Sequence, residues 1–121
     1  YNTFPLMDGA LIPAGYLDLT PAWLNLTENL AAVQFNHRLL ATLTGLAAVG
    51  VGVAALRHLP SGFARSAALV MAASVVAQYA LGVLTLVHVV PVSLGTLHQT
   101  VAVGVLAAGL CAWHGLRAPP R

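Results

Sequence analysis

Between Ser66 and Leu116 lie 51 consecutive residues without one Asp, Glu, Lys or Arg. A second uncharged run, Leu39 to Leu56, holds 18. A bilayer core takes about 20 apolar residues per helix. The longer run is therefore too long for one span and suits two, divided at the turn-forming stretch Pro91-Val92-Ser93-Leu94-Gly95-Thr96. We read an all-α membrane protein with three transmembrane helices, at about 30–57, 67–90 and 94–116. Composition agrees: 59% of residues are hydrophobic and 7% charged, against about 25% charged in soluble domains. A water-soluble globule, a disordered tail and a nucleic-acid-binding module are all excluded. Five arginines are too sparse for a phosphate-binding patch. Small residues recur in the spans, among them Gly45, Gly50, Gly52, Ala72, Ala73, Gly104, Ala108 and Gly109. They either let helices approach closely or are simply common in apolar helices.

Charge placement sets the expected sidedness. Arg57 and Arg65 bracket the first inter-helix loop, Arg117 and Arg121 end the chain, and all three acids fall within the first 28 residues. Arg and Lys concentrate on the cytoplasmic side. Residues 1–29 and the turn near 90–96 are thus expected outside, and the 57–66 loop and the C-terminal tail inside. Residues 1–29 lack the basic start and apolar core of a signal peptide. They read as an external loop, with Thr20 capping a short interfacial helix that carries Pro21 at its first position. A start at Tyr1 inside such a loop leads us to expect a piece of a longer chain, in which one more helix completes a four-helix bundle.

The functional signal is histidine: five His against three carboxylates. His37 lies about two turns into the first helix and His98 about one turn into the third. These helices run parallel, so both imidazoles fall at similar depth in the outer half of the membrane. His88 falls at the outer end of the second helix, where an interfacial cap competes with a second cofactor contact. His58 and His114 suit the inner headgroup region. An ionisable side chain within a span is costly and faces a cavity or a partner. Two imidazoles make a poor zinc site, since zinc takes four ligands. The lone Cys111 forms neither a disulfide nor a Cys-rich centre. Two imidazoles do suffice for haem iron, because the porphyrin supplies four nitrogens. The competing reading is two histidines hydrogen-bonded to neighbouring helices. On the haem reading Arg38 pairs with a propionate. Gln99, Thr96 and Thr100 hydrogen-bond to propionates or an imidazole N–H. Gln34, three residues before His37 and on the same helical face, either touches the ligand or eases entry into the bilayer. No phosphate loop, nucleophile elbow or carboxylate dyad is present.

Several stretches carry a family resemblance: Tyr1-Asn2-Thr3-Phe4-Pro5-Leu6-Met7-Asp8-Gly9, Asn25-Leu26-Thr27-Glu28-Asn29, Val33-Gln34-Phe35-Asn36-His37-Arg38, Gln78-Tyr79-Ala80-Leu81-Gly82 and Leu97-His98-Gln99. Together they resemble the C-terminal half of haem A synthase. The resemblance implies an eight-helix protein built of two four-helix halves, each with a His pair for a haem. It further implies that the N-terminal half is catalytic and the C-terminal half holds a b-type haem. His37 and His98 match the ligand positions of the second half. Gln34 stands where the other half has Glu, and Asn36 where family members usually have Asp. The family oxidises the C8 methyl of haem O to the formyl of haem A for cytochrome oxidase assembly. Haem O, haem A, an electron donor, and haem O synthase or oxidase assembly proteins are then the implied partners. The implied setting is the bacterial cytoplasmic membrane, or the mitochondrial inner membrane in a eukaryote. The alternative is a b-type membrane cytochrome that only transfers electrons.

Overall fold

The computed structural model describes residues 1–117; Arg121, counted above among the inner-side charges, lies outside the described residues. Three helices, α1 (Leu30–His58), α2 (Phe63–Val87) and α3 (Val92–Arg117), follow a short 3₁₀ turn at Ala22–Leu26. Each is long and apolar enough to cross a membrane, and no strand is assigned among the described residues. The chain is an all-α integral membrane protein. Linkers this short force antiparallel neighbours, so α1 and α3 run in one direction and α2 in the other.

The helix ends follow local chemistry. Asn29 caps α1: its side-chain Oδ1 accepts from the Ala32 N–H at 3.0 Å. Leu59 turns extended (φ −101°, ψ 138°) because Pro60 follows, and α1 stops there. The second span starts at Phe63 rather than near 67, since one Arg at a helix end can carry its head into the interface while its stem stays with the apolar chain. It stops at Val87 rather than near 90. There the Val90 N–H reaches the Thr85 carbonyl at 2.9 Å and the Val89 N–H the Leu86 carbonyl at 3.0 Å. This pair of bonds is a Schellman closure. The 3₁₀ turn before α1 departs from expectation in its cap: Pro21, not Thr20, stands at the cap position, and no side chain closes it.

Helix α2 is the central element. It packs against both neighbours, whereas α1 and α3 do not pack on each other. Small residues make the close crossings. A Cβ on Gly52 of α1 would stand 3.0 Å from the Ala72 Cβ of α2. A Cβ on Gly115 of α3 would stand 3.1 Å from the Ala64 Cα. By contrast Gly50, Gly104 and Gly109 meet nothing within 4 Å, so only some of the small residues are contact points. The buried apolar side chains are largely alanines, such as Ala32, Ala68 and Ala72, and large aliphatics point outward. Lipid takes the place that water has around a soluble bundle, so outward Leu and Val cost nothing.

The segment before α1 is structured by its own polar groups. The Thr3 hydroxyl donates to the Leu6 carbonyl (2.8 Å) and accepts from the Asp8 N–H (2.9 Å). Asp8 and Gly9 both have left-handed φ, 51° and 86°, the backbone of a tight two-residue turn. Asn25 and Asn29 are buried and bonded to each other at 2.8 Å. Asn29 also donates to the Gly15 carbonyl at 2.6 Å. Tyr16 donates to Asn36 Oδ1 at 3.0 Å and stacks edge-on against Phe35. These contacts seat the loop on the first turns of α1.

Candidate functional site

One cavity of about 520 Å³ occupies the half of the helices nearest the N-terminal loop. That volume falls within the roughly 300–1,000 Å³ of small-molecule and cofactor sites. Helix α2 is its floor, α1 and α3 are its walls, and its lining is mostly apolar. It exists because α1 and α3 each lean on α2 but not on one another.

His37 and His98 project into this same space from opposite walls, with Gln34 and Arg38 beside His37. His37 is exposed along the open side, and His98 is half-buried with its Nδ1 enclosed and without a hydrogen-bond partner. Among the described residues no three His, Cys, Asp or Glu side chains gather. The donor set of the cavity is thus two imidazoles on separate helices, within apolar walls.

Helix α2 holds His98 from two sides. Gln78 donates from Nε2 to the His98 carbonyl at 2.8 Å. One turn on, Gly82 faces the Cε1 corner of the ring: a Cβ there would stand 2.9 Å from His98 Cε1. Residues four apart share a helical face, so Gln78 fixes the backbone of His98 while Gly82 leaves room for its imidazole. Neither was singled out as a site residue from sequence. The available signal was a polar residue in mid-span followed at i+4 by glycine.

The remaining expected residues divide. Gln99, Thr96 and Thr100 are exposed and lie off the cavity, and the Thr100 hydroxyl is spent on the Thr96 carbonyl at 2.8 Å. Adjacent positions on a helix do not face the same way, so a residue next to His98 points elsewhere. His88 is exposed, with Nδ1 2.8 Å from the Leu84 carbonyl, and does not line the cavity. His58 borders a separate groove at the opposite end.

Arg38 is engaged differently from expectation. Its Nη1 donates to the Thr3 carbonyl at 2.8 Å and its Nη2 to the Tyr1 carbonyl at 3.0 Å. Gln34 adds a bond from Nε2 to the same Tyr1 carbonyl at 2.7 Å. The guanidinium fork therefore straps residues 1–4 across the mouth of the cavity nearest the N-terminal loop. Phe4 follows this strap into the lining and meets Tyr79 edge-on at 6.3 Å. The Tyr79 hydroxyl lies 3.0 Å from that of Thr42 on α1. That mouth is thus bridged by a chain of contacts running from α1 through the strap to α2.

The sequence profile of the family described as cytochrome oxidase assembly protein matches residues 1–110. "Heme A synthase" of Granulibacter bethesdensis is 47% identical over 121 residues, which is 100% of this chain and 31% of that protein. "Heme A synthase 2" of Acidiphilium cryptum is 46% identical over 98% of this chain and 32% of its own length. "Heme A synthase" of Sinorhizobium medicae is 44% identical, over 95% and 31%. The chain spans about a third of the length of these relatives. No solved structure matches it.

Proposed function

The chain belongs to the cytochrome oxidase assembly protein family, and from that premise we propose that it is the haem-b-binding part, in the C-terminal half, of a haem A synthase. The full protein then oxidises the C8 methyl of haem O to the formyl of haem A in a bacterial cytoplasmic membrane. The relatives' printed names support the activity. The haem assignment rests on one observation: His37 and His98 share a single apolar cavity in which His98 keeps an enclosed, unpartnered ring nitrogen.

The residues present fit a haem. His37 and His98, from two helices, would supply the two ligands that a porphyrin with its own four nitrogens leaves to the protein. Apolar walls suit the macrocycle, and Gly82 leaves the space that the Cε1 corner of the His98 ring takes up. A haem held by His37 and His98 would supply one-electron transfer. The protein's own part is positional. Gln78 sets His98, Arg38 and Gln34 hold the strap, and Phe4 with Tyr79 keeps water from the outer mouth. Besides the two imidazoles, the cavity lining carries amides, hydroxyls and the Arg38 guanidinium.

The test uses the full-length protein. His37→Ala and His98→Ala should each convert a six-coordinate low-spin haem to a five-coordinate one, or lose it. His58→Ala and His114→Ala should leave the spectrum intact, being on the order of 30 Å away by helix rise. A low-spin spectrum that persists unchanged in both cavity variants overturns the assignment.

A further inference from the structure

Gln78 ties His98 to α2. The His37 side chain is exposed, so its place is the place of α1. Helix α1 does not touch α3, and its close crossing with α2 lies at Gly52, roughly 22 Å beyond His37 by helix rise. Over that lever a tilt of a few degrees moves His37 by about 1 Å. A ligand pair needs holding within about 0.5 Å, so α1 requires a second anchor near the cavity. Tyr79 of α2 meets that need. Its hydroxyl lies 3.0 Å from that of Thr42 on α1. The Thr42 hydrogen is spent on the Arg38 carbonyl at 2.9 Å, so Tyr79 donates and Thr42 accepts. The bonded chain thus ends on the residue next to His37. The Tyr79 ring also rests beside Gly45, where a Cβ would stand 4.0 Å from Cδ2. Thr42 and Gly45 are three apart, on one face of α1. Among the described residues this is the one side-chain hydrogen bond between α1 and α2. Gln78 and Tyr79 are consecutive and leave α2 about 100° apart, one toward α3 and the other toward α1.

We propose, on the haem reading of the cavity, that Tyr79 is a positioning residue. Through Thr42 it fixes α1 against α2 and so sets His37 at the distance from His98 that one iron requires. Gln78 does the same for His98 on the other side, and the two adjacent residues together hold the two walls apart by a set amount. Closing the mouth is work for the Tyr79 ring, which meets Phe4 edge-on. Positioning is work for the hydroxyl alone, so one atom separates the two roles.

The experiment compares Tyr79→Phe, Thr42→Val and Thr42→Ser in the full-length protein. The low-spin haem signal that His37→Ala removes marks this site. Tyr79→Phe and Thr42→Val should each shift the g values of that signal. Each should also raise the five-coordinate fraction about threefold, the weight of an average hydrogen bond between membrane helices. Thr42→Ser keeps an acceptor and should match the wild type. The double variant Tyr79→Phe with Thr42→Val should go no further than either single one, because both remove the same bond. A second readout reports the helices themselves. Leu39 of α1 and Val103 of α3 are exposed and lie off the cavity. Gadolinium spin labels on Leu39→Cys and Val103→Cys, with Cys111 and any other native cysteine replaced and the iron reduced, measure the distance between the walls. It should be narrowly distributed in the wild type and in Thr42→Ser, and broader or longer in Tyr79→Phe and Thr42→Val. Unchanged distances in Tyr79→Phe overturn the proposal. Changed distances beside an unmoved haem signal in Tyr79→Phe overturn the positioning role and leave the haem reading standing. If His37→Ala leaves every haem signal in place, the haem reading itself fails, and the assignment of Tyr79 to the ligand pair falls with it.

Discussion

The hydrogen of Gly82 decides where an imidazole lies. A methyl group there would approach His98 Cε1 to 2.9 Å, closer than carbon atoms pack, so the ring must turn about its own side-chain torsions while Gln78 keeps the His98 carbonyl in place. Gly82→Ala should therefore tilt His98. Overpacking of this kind costs on the order of 1–3 kcal/mol, which corresponds to a loss of about tenfold or more in haem affinity. Gly104→Ala, with nothing within 4 Å, is the control that should leave haem content unchanged. Titration of the full-length protein with haem measures both, and equal affinities would remove Gly82 from the site. At this scale the sequence was informative where chemistry is rare and silent where geometry decides. His37 and His98 stood out because an ionisable group in a span needs a reason. Gln99 looked equally suitable beside His98, yet helix phase turns it away. Arg38 was legible as a charge that needed a partner. That its partners are the carbonyls of Tyr1 and Thr3, over 30 residues away in sequence, was not.

Among the elements, the α2–α3 connection carries the clearest strain. Val89 occupies the position after the helix cap with φ 62°, the left-handed region that glycine prefers there. Left-handed backbone costs a residue with a Cβ roughly 1–2 kcal/mol. The Val89 side chain is 70% exposed, so removing it forfeits little packing. Part of the gain is returned through the greater freedom of glycine in the unfolded chain. Val89→Gly should then raise stability by up to about 1 kcal/mol, read as a higher midpoint in thermal unfolding of the purified protein. A lowered midpoint would mean that the valine is held by contacts with lipid. The connection explains why the second span ended earlier than composition suggested. Val87, Val89 and Val90 carry the apolar stretch past His88, with no charged or turn-forming residue before Pro91, and hydropathy alone cannot mark a Schellman closure made by main-chain bonds. The start of α1 was more readable in principle. Asn29 supplies a cap of the preferred type, and its partner Asn25 lies one turn earlier.

For the whole molecule, the uneven distribution of charge and the uneven packing of the helices point to one orientation. The end bearing Arg57, Arg65 and Arg117 has no acid, and the end bearing Asp8, Asp18 and Glu28 has only the strap-bound Arg38. Arginine near a span is retained on the cytoplasmic side, and on that ground we propose that the Leu59–Gly62 linker faces inside and the loop before α1 outside. The histidine cavity then lies in the outer half and the small groove in the inner half. Single cysteines test this in the full-length protein in whole cells. They would be read against a Cys111→Ala background, with any other native cysteine also replaced. Leu11→Cys sits in the outer loop at 76% exposure and should react with a membrane-impermeant maleimide added outside. Ser61→Cys, exposed in the short linker, should react only after the membrane is opened. Leu11 is chosen over Asp8 because Asp8 has a left-handed φ of 51° and its N–H bonds to the Thr3 hydroxyl, so a replacement there would disturb the loop being probed. If Ser61→Cys reacts from outside and Leu11→Cys does not, the orientation is reversed. The helix ends bearing Arg57, Arg65 and Arg117 would then face outward, and the strap over the histidine cavity would face the cytoplasm.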